Sequence, residues 1–323
     1  MSTKNEEIQK DTQTKQLSHK DHALAGGISG VLTRLFCQPF DVIKIRFQLQ
    51  VEPINKNSPY SKYTNILQAF RTVVKDEGIF ALWKGHVPAQ GLSFLFASTQ
   101  FPVYKAITNY FLNLNHEHSI LKSKPIVCFV SGGIAGCCAT VVCQPFDVIR
   151  TRLVSQGEPK IYKGLIHATV KMYKHEGLLV FYKGLTPTLL QIVPNIGSMF
   201  AFYEGFCSIW EIYFHPHLHH VGISESAICG FMAGICSKAL VHPLDLVKKR
   251  LQVQGFHEGR TMLGSQQVYS GFLNCLRVIL KTEGLIGMYK GLRPSILKAA
   301  VTTACHFTFY EQACNLLKLK YIL

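Results

Sequence analysis

The chain has 323 residues, 48% hydrophobic and only 16% charged, and its 34 Lys and Arg against 19 Asp and Glu give a formal net charge of +15. Length alone would suggest two or so soluble domains, but a mean hydropathy of +0.16 with so little charge argues against them and for a membrane protein. The basic excess suits nucleic acid or an anionic lipid surface.

Residues 1–22 are polar, mixed in charge and free of arginine, with no apolar run. That excludes a secretory signal and a typical matrix presequence and predicts a disordered tail, so insertion must rely on internal signals. An apolar segment then runs from about 23 to 50, carrying Gly26 and Gly30 and ending in "QPFDVIKIRFQ" with Pro39, Asp41 and Lys44. A soluble-looking amphipathic stretch from Tyr63 to Gly78 follows, read as about four turns of helix lying along a membrane face. "DEGIFALWKG" leads into a second apolar segment from about 86 to 112, with Pro88 in the first turn, where a missing N–H costs little.

The same order returns twice. Apolar 126–154 carries Gly132, Gly136 and "QPFDVIRTRLV" with Pro145; the stretch from Tyr162 to Gly177, "HEGLLVFYKG" and apolar 185–212 follow. Apolar 224–252 carries Gly230, Gly234 and "HPLDLVKKRLQ" with Pro243, then the stretch from Tyr269 to Gly284, "TEGLIGMYKG" and apolar 292–318. A period of about 100 residues is far too long for a solenoid, so each unit is a small multi-helix module. The modules are predicted at 23–115, 123–213 and 222–319. In lipid, small residues four apart let helix backbones approach closely, which is the expectation for the three glycine pairs.

Six segments of 20 or more residues each match a hydrocarbon core of about 30 Å. The predicted fold is an all-α membrane protein with six transmembrane helices in three pseudo-threefold repeats. Both termini lie on one side and three short amphipathic helices on the other; the positive-inside rule turns that basic side to the matrix or cytoplasm. Eleven cysteines sit mostly in apolar stretches without CxxC spacing and read as small buried residues rather than as a disulfide or zinc framework.

A proline inside a helix removes a hydrogen bond and kinks it, so three such helices in a ring can converge at one end. Asp41, Asp147 and Asp245 each stand three residues before Lys44, Arg150 and Lys248. By symmetry Asp41 pairs with Arg150, Asp147 with Lys248 and Asp245 with Lys44, a closed ring of ion pairs that seals a cavity. The alternative, charges snorkelling to headgroups, explains one such pair better than three in phase.

Pro-x-acid-x-x-base-x-base followed by acid-Gly and aromatic-base-Gly, three times in register, resembles the mitochondrial carrier family over essentially the whole chain. The resemblance implies an inner-membrane transporter with alternating access and a central site, the short helices facing the matrix. It implies that Gln48 and Gln252 brace the matrix-side pairs, a position where Val154 cannot. It implies cardiolipin at Gly164 and Gly271, which open the short helices, and at Trp83 with Gly85, Tyr182 with Gly184 and Tyr289 with Gly291; Asn65 stands where the first module lacks the glycine. The family's cytoplasmic gate is represented by Lys105, Glu204 and Glu311, with Thr108, Cys207 and Cys314 where bases would stand. Lys105 can pair with either glutamate, so this gate is expected to be the weaker one.

Charges within spans and away from both ends are costly unless they face a cavity or a partner. Arg34 and Lys238 stand five residues before their prolines. Lys298 stands seven after Gly291, the position that by resemblance faces the centre. No in-span carboxylate is available to neutralise them, so the three cations are expected to converge on an anion. Leu92 and Gln191 occupy the equivalents of Lys298, and with Asn195, and His306 as a further candidate, make a mixed polar and apolar wall suited to a phosphate tail and a less charged ring system. The stretches "FDVIKIRFQLQ", "WKGHVPAQ" and "KGLRPSILKAA" are similar to those of family members that move thiamine pyrophosphate, implying its entry to the matrix in exchange for nucleotides. The residues alone fit a nucleotide or coenzyme A carrier equally.

No nucleophile, metal cluster or paired catalytic carboxylates stand in the core, so no enzyme, cofactor or metal is expected. His215, His217, His219 and His220 fall in a connecting loop. A nucleic-acid binder would explain the charge but not six apolar spans. A proton-leak or non-transporting membrane protein stays open. One chain contains a complete pore, so a monomer is expected.

Overall fold

The computed structural model describes residues 19–54, 61–114, 124–214, 223–256 and 267–320. Among them are nine α-helices: α1 (His19–Leu49), α2 (Ile66–Glu77), α3 (His86–Leu114), α4 (Lys124–Ser155), α5 (Leu165–Glu176), α6 (Leu185–Phe214), α7 (Ile223–Gln252), α8 (Phe272–Gly287) and α9 (Leu292–Lys320). Short 3-10 turns at Ile79–Trp83 and Leu178–Tyr182 lead into α3 and α6. Each module is thus a long helix, a short one and a long one. The seams between modules run α3 along α4, α6 along α7 and α9 along α1, which closes the ring.

The first helix begins at His19, inside the stretch predicted as tail, with Asp21 in its first turn where a carboxylate favours the exposed N–H groups. Residues 1–18 lie outside the described ones, as does the histidine cluster at 215–220. Pro39, Pro145 and Pro243 lie within α1, α4 and α7. Two helices, α4 over Val127–Ser155 and α7 over Glu225–Gln252, are by themselves long and apolar enough to cross a membrane.

The short helices start three residues later than their tyrosines. Tyr63, Tyr162 and Tyr269 belong to an extended entry whose backbone is taken by glutamine side chains. Tyr63 N–H donates to Gln50 Oε1 and Tyr162 N–H to Gln156 Oε1, both at 2.9 Å, and Gln254 Nε2 donates to the Tyr269 carbonyl at 2.6 Å. Ala69 and Val73 of α2, Ala168 and Met172 of α5, and Cys275 and Ile279 of α8 form the buried faces of these helices, against the ends of α1, α4 and α7. Each large apolar side chain so buried, such as Ile43, Leu49 or Leu246, contributes about 1.5–3 kcal/mol. The left-handed glycines Gly78 (φ 83°), Gly177 (φ 75°) and Gly284 (φ 68°) end the helical run three times over, the last as a break inside α8.

The expected close approach at the glycine pairs is absent. A Cβ at Gly26, Gly30, Gly132 or Gly234 would meet nothing within 4 Å, and at Gly136 and Gly230 it would meet only side chains, of Ile192 at 3.7 Å and of Tyr203 at 3.9 Å. Backbones come together instead at Gly85, Gly184 and Gly291, where a Cβ would lie 3.1 Å from the Arg150 carbonyl oxygen, 2.9 Å from that of Lys248 and 3.2 Å from that of Lys44. Module contact is therefore tightest at the end where the charges are.

Candidate functional site

All three cross-module pairs form at that end. Arg150 Nη2 lies 2.5 Å from Asp41 Oδ2, Lys248 Nζ 2.8 Å from Asp147 Oδ2 and Lys44 Nζ 2.7 Å from Asp245 Oδ2. Gln252 Nε2 donates to Asp147 Oδ2 at 2.8 Å and Gln48 Nε2 to Asp245 Oδ2 at 3.3 Å. Val154 stands in the third position, as the sequence requires.

The cations of the cavity are placed differently from the expectation. Lys298 Nζ lies 2.6 Å from Asp41 Oδ1 and Lys238 Nζ 3.3 Å from Asp245 Oδ2. The carboxylates that neutralise them are those of the ring itself, reached by flexible four-carbon stems that linear spacing does not reveal. Arg34 is half-buried and, among the described residues, makes no ion pair. A cavity of about 240 Å³ lies on the ring, lined by the three aspartates, by Lys44, Arg150, Lys248, Lys249 and Lys298, and by Leu92, Phe96 and Thr140. Gln191 and Asn195 do not line it; the Asn195 carbonyl accepts from Ser237 Oγ at 3.0 Å. His306 Nδ1 faces Ser29 Oγ at 3.1 Å.

A second ring surrounds the first. Arg46, Arg152 and Arg250 fork onto Glu77, Glu176 and Glu283, and the same glutamates accept from Lys84, Lys183 and Lys290. Each arginine also reaches into the next module. Arg46 donates to the carbonyls of Val154 and Gln156, Arg152 to those of Gln252 and Gln254, and Arg250 to those of Gln48 and Gln50, at 3.0–3.4 Å. Those carbonyls are the unsatisfied acceptors at the ends of α4, α7 and α1, where a cation is favoured. These arginines are the second base of the Pro-x-acid-x-x-base-x-base motif, to which the sequence alone assigns no partner.

Burial works against the Glu77 carboxylate, and hydrogen bonds from Arg46 and Lys84 outweigh it and hold the carboxyl below its usual range; Glu176 behaves likewise with Arg152 and Lys183. A depressed folded value means that this stability is complete above the unfolded value of about 4.3 and is lost as pH falls through the folded one. Glu77→Gln is therefore expected to cost about 3 kcal/mol at neutral pH, by stranding Arg46, and to flatten the acid limb. Thermal unfolding of detergent-solubilised protein between about pH 6 and pH 3 reads both effects. An acid limb as steep as wild type would remove Glu77 from it.

At the opposite end Lys105, Glu204 and Glu311 are exposed, and none makes an ion pair among the described residues. The proposed lipid contacts spread over the module seams. Tyr289 and Gly291 line a cleft of about 1150 Å³ between α8–α9 and α2, and Tyr182, Gly184 and Gly271 one of about 240 Å³ between the second and third modules. Trp83 Nε1 donates to the Leu35 carbonyl at 3.0 Å, and Gly164 stands at the start of α5 with open space around its α-carbon. The eleven cysteines form no disulfide with one another, and among the described residues no three potential metal ligands cluster.

The family described as mitochondrial carrier protein matches residues 15–115, 121–212 and 219–321. The chain is 44% identical to the mitochondrial thiamine pyrophosphate carrier of Bos taurus over 302 residues, 93% of this chain and 94% of the relative. It is 45% identical to the protein of that name from Homo sapiens over 294 residues, 91% of each. With mitochondrial thiamine diphosphate carrier 2 of Zea mays it shares 39% over 307 residues, 90% of this chain and 91% of the other. Three matched repeats, coinciding with three helical modules around a charged cavity, make the chain a member of the mitochondrial carrier family and a transporter rather than an enzyme.

Proposed function

We propose that the chain crosses the inner mitochondrial membrane six times and carries thiamine pyrophosphate into the matrix in exchange for nucleotides. The observation that carries this is the charge of the cavity: Lys44, Arg150, Lys248 and Lys298 line it against three aspartates, Lys249 is held on Asp147, and Lys238 adds to them through Asp245. Such a surplus at membrane depth needs an anion, and a diphosphate fits it while Leu92 and Phe96 offer apolar surface to the rings. The names of the relatives support the same substrate.

In this reading the ion-pair ring is the matrix gate, closed here, and Lys105, Glu204 and Glu311 belong to a cytoplasmic gate that is open. Exposed Phe94, Phe101, Phe200, Phe231 and Leu240 present apolar surface to lipid. The clefts at Tyr182 and Tyr289 hold cardiolipin, whose phosphates are met by free N–H groups at helix starts, and the carrier works as a monomer.

Uptake of labelled thiamine pyrophosphate into liposomes, competed by a panel of phosphorylated compounds, tests the proposal. Free thiamine and pyrophosphate alone should each compete at least about tenfold more weakly than the whole molecule, since each forgoes a contact of about 1.5 kcal/mol or more. Uptake should rise when nucleotide is loaded inside. Free thiamine competing as well as its diphosphate would overturn the anion site.

A further inference from the structure

The three corners of the closed end are unequal. Asp41 accepts from Arg150 and Lys298, and Asp245 from Lys44, Gln48 and Lys238. Each therefore shares its charge with a lysine, Lys298 in the cavity wall and Lys238 bound to a wall aspartate, that an anion can draw away. Asp147 has no such partner, because the positions equivalent to Lys238 and Lys298 at its corner are Thr140 and Leu92. Its second cation comes from the ring's own helix. Lys249 Nζ lies 2.9 Å from Asp147 Oδ1, 2.9 Å from Thr151 Oγ1 and 3.0 Å from Gln252 Oε1. Three donors meet three acceptors, the residue is 6% exposed, and no donor is left for a solute. The first and second modules carry Ile45 and Thr151 at this position.

We propose that Lys249 is a positioning residue that makes the Asp147 corner a lock the transported anion does not release. Resting on the reading that the ring is the gate and that the cavity lysines take the anion, it follows that substrate acts on two corners out of three. An anion binding Lys298 and Lys238 weakens the hold on Asp41 and Asp245, which is the differential affinity that a ligand needs to shift a conformational equilibrium. The Asp147 corner resists by the same amount whether the carrier is loaded or empty. It therefore adds to the barrier that the empty carrier must cross to reorient, and so limits the rate of leak.

The test compares Lys249→Ile with Lys298→Ala in liposomes preloaded with labelled thiamine pyrophosphate. Efflux into substrate-free medium requires the empty carrier to return, whereas half-saturation in exchange reports the ligand contacts. Lys249→Ile should raise that efflux by about tenfold or more, as expected for loss of a charge-assisted hydrogen bond, with half-saturation moved less than about threefold. Lys298→Ala should raise half-saturation by about tenfold to a hundredfold. A half-saturation raised as much in Lys249→Ile would make Lys249 a substrate ligand, and efflux equal to wild type would remove the lock; either overturns the proposal. Should Lys249→Ile fail to fold, Lys249→Gln keeps an amide hydrogen bond without the charge and is read against the same outcomes. If the wild type does not exchange thiamine pyrophosphate, the functional reading fails by itself, and the lock is then measured with whichever phosphate compound of the panel it exchanges.

Discussion

Reversing one charge, Arg150→Glu, is expected to abolish exchange, and adding Asp41→Arg to restore only part of it. The pair is nearly dry, with side chains 9% and 7% exposed. Breaking a buried pair by removing one partner costs about 3–5 kcal/mol, which corresponds to a rate loss of about a hundredfold or more. The reversal does worse still, because it sets a second carboxylate beside Asp41. The double change recreates an ion pair of opposite polarity, but Lys298 then faces a guanidinium where it had a carboxylate at 2.6 Å. Recovery should therefore stop short of wild type. Initial exchange rates at saturating substrate settle it; a double variant no better than the worse single one would mean that the contact does not gate.

The second large effect is expected from a single methyl group. Gly184 has φ 78°, and a Cβ there would stand 2.9 Å from the Lys248 carbonyl oxygen and 3.1 Å from Gln252 Cγ. A left-handed backbone costs a non-glycine residue about 1–2 kcal/mol. The contact with backbone cannot be relieved by turning a side chain, so α6 and α7 must separate where Lys248 and Gln252 hold Asp147. Gly184→Ala should lower the unfolding temperature by several degrees and transport by about tenfold or more, given overpacking costs of about 1–3 kcal/mol. Gly205→Ala is the control, since that glycine of α6 has nothing within 4 Å of its Cβ position. Equal behaviour of the two variants would show that the seam has slack there.

The modules were legible because polar residues recur in phase inside apolar segments, and only a repeated structural need puts Pro, Asp and base there three times. Partners across the ring were legible only through that symmetry. Lys298 and Lys238 were read as free because sequence spacing does not say how far a lysine stem reaches from one helix to another. Lys249 left a signal that went unused: Asp245, Lys248, Lys249 and Gln252 stand at helical offsets of three, four and seven, so one face of α7 carries them all. The start of α2 was misplaced by three residues because apolar periodicity runs back to Tyr63, whereas the Gln50 side chain takes the backbone groups there. The glycine pairs misled for a related reason: composition says where helices are able to approach, and the ring brings them together elsewhere.

The α9–α1 seam also bears on how the protein is made. It joins residues as far apart as Ser29 and His306, 277 positions along the chain, and Lys290 and Val51, 239 apart. Synthesis delivers α1 well before α9, and contacts this distant in sequence form late because the intervening chain must close on itself. Until then Asp41 lacks Lys298, and the carbonyls of Val51 and Glu52 lack Lys290. Buried without partners, those groups would each cost free energy, so burying that face of α1 is favourable only once the seam closes. A helix made early is thus among the last to be fully satisfied.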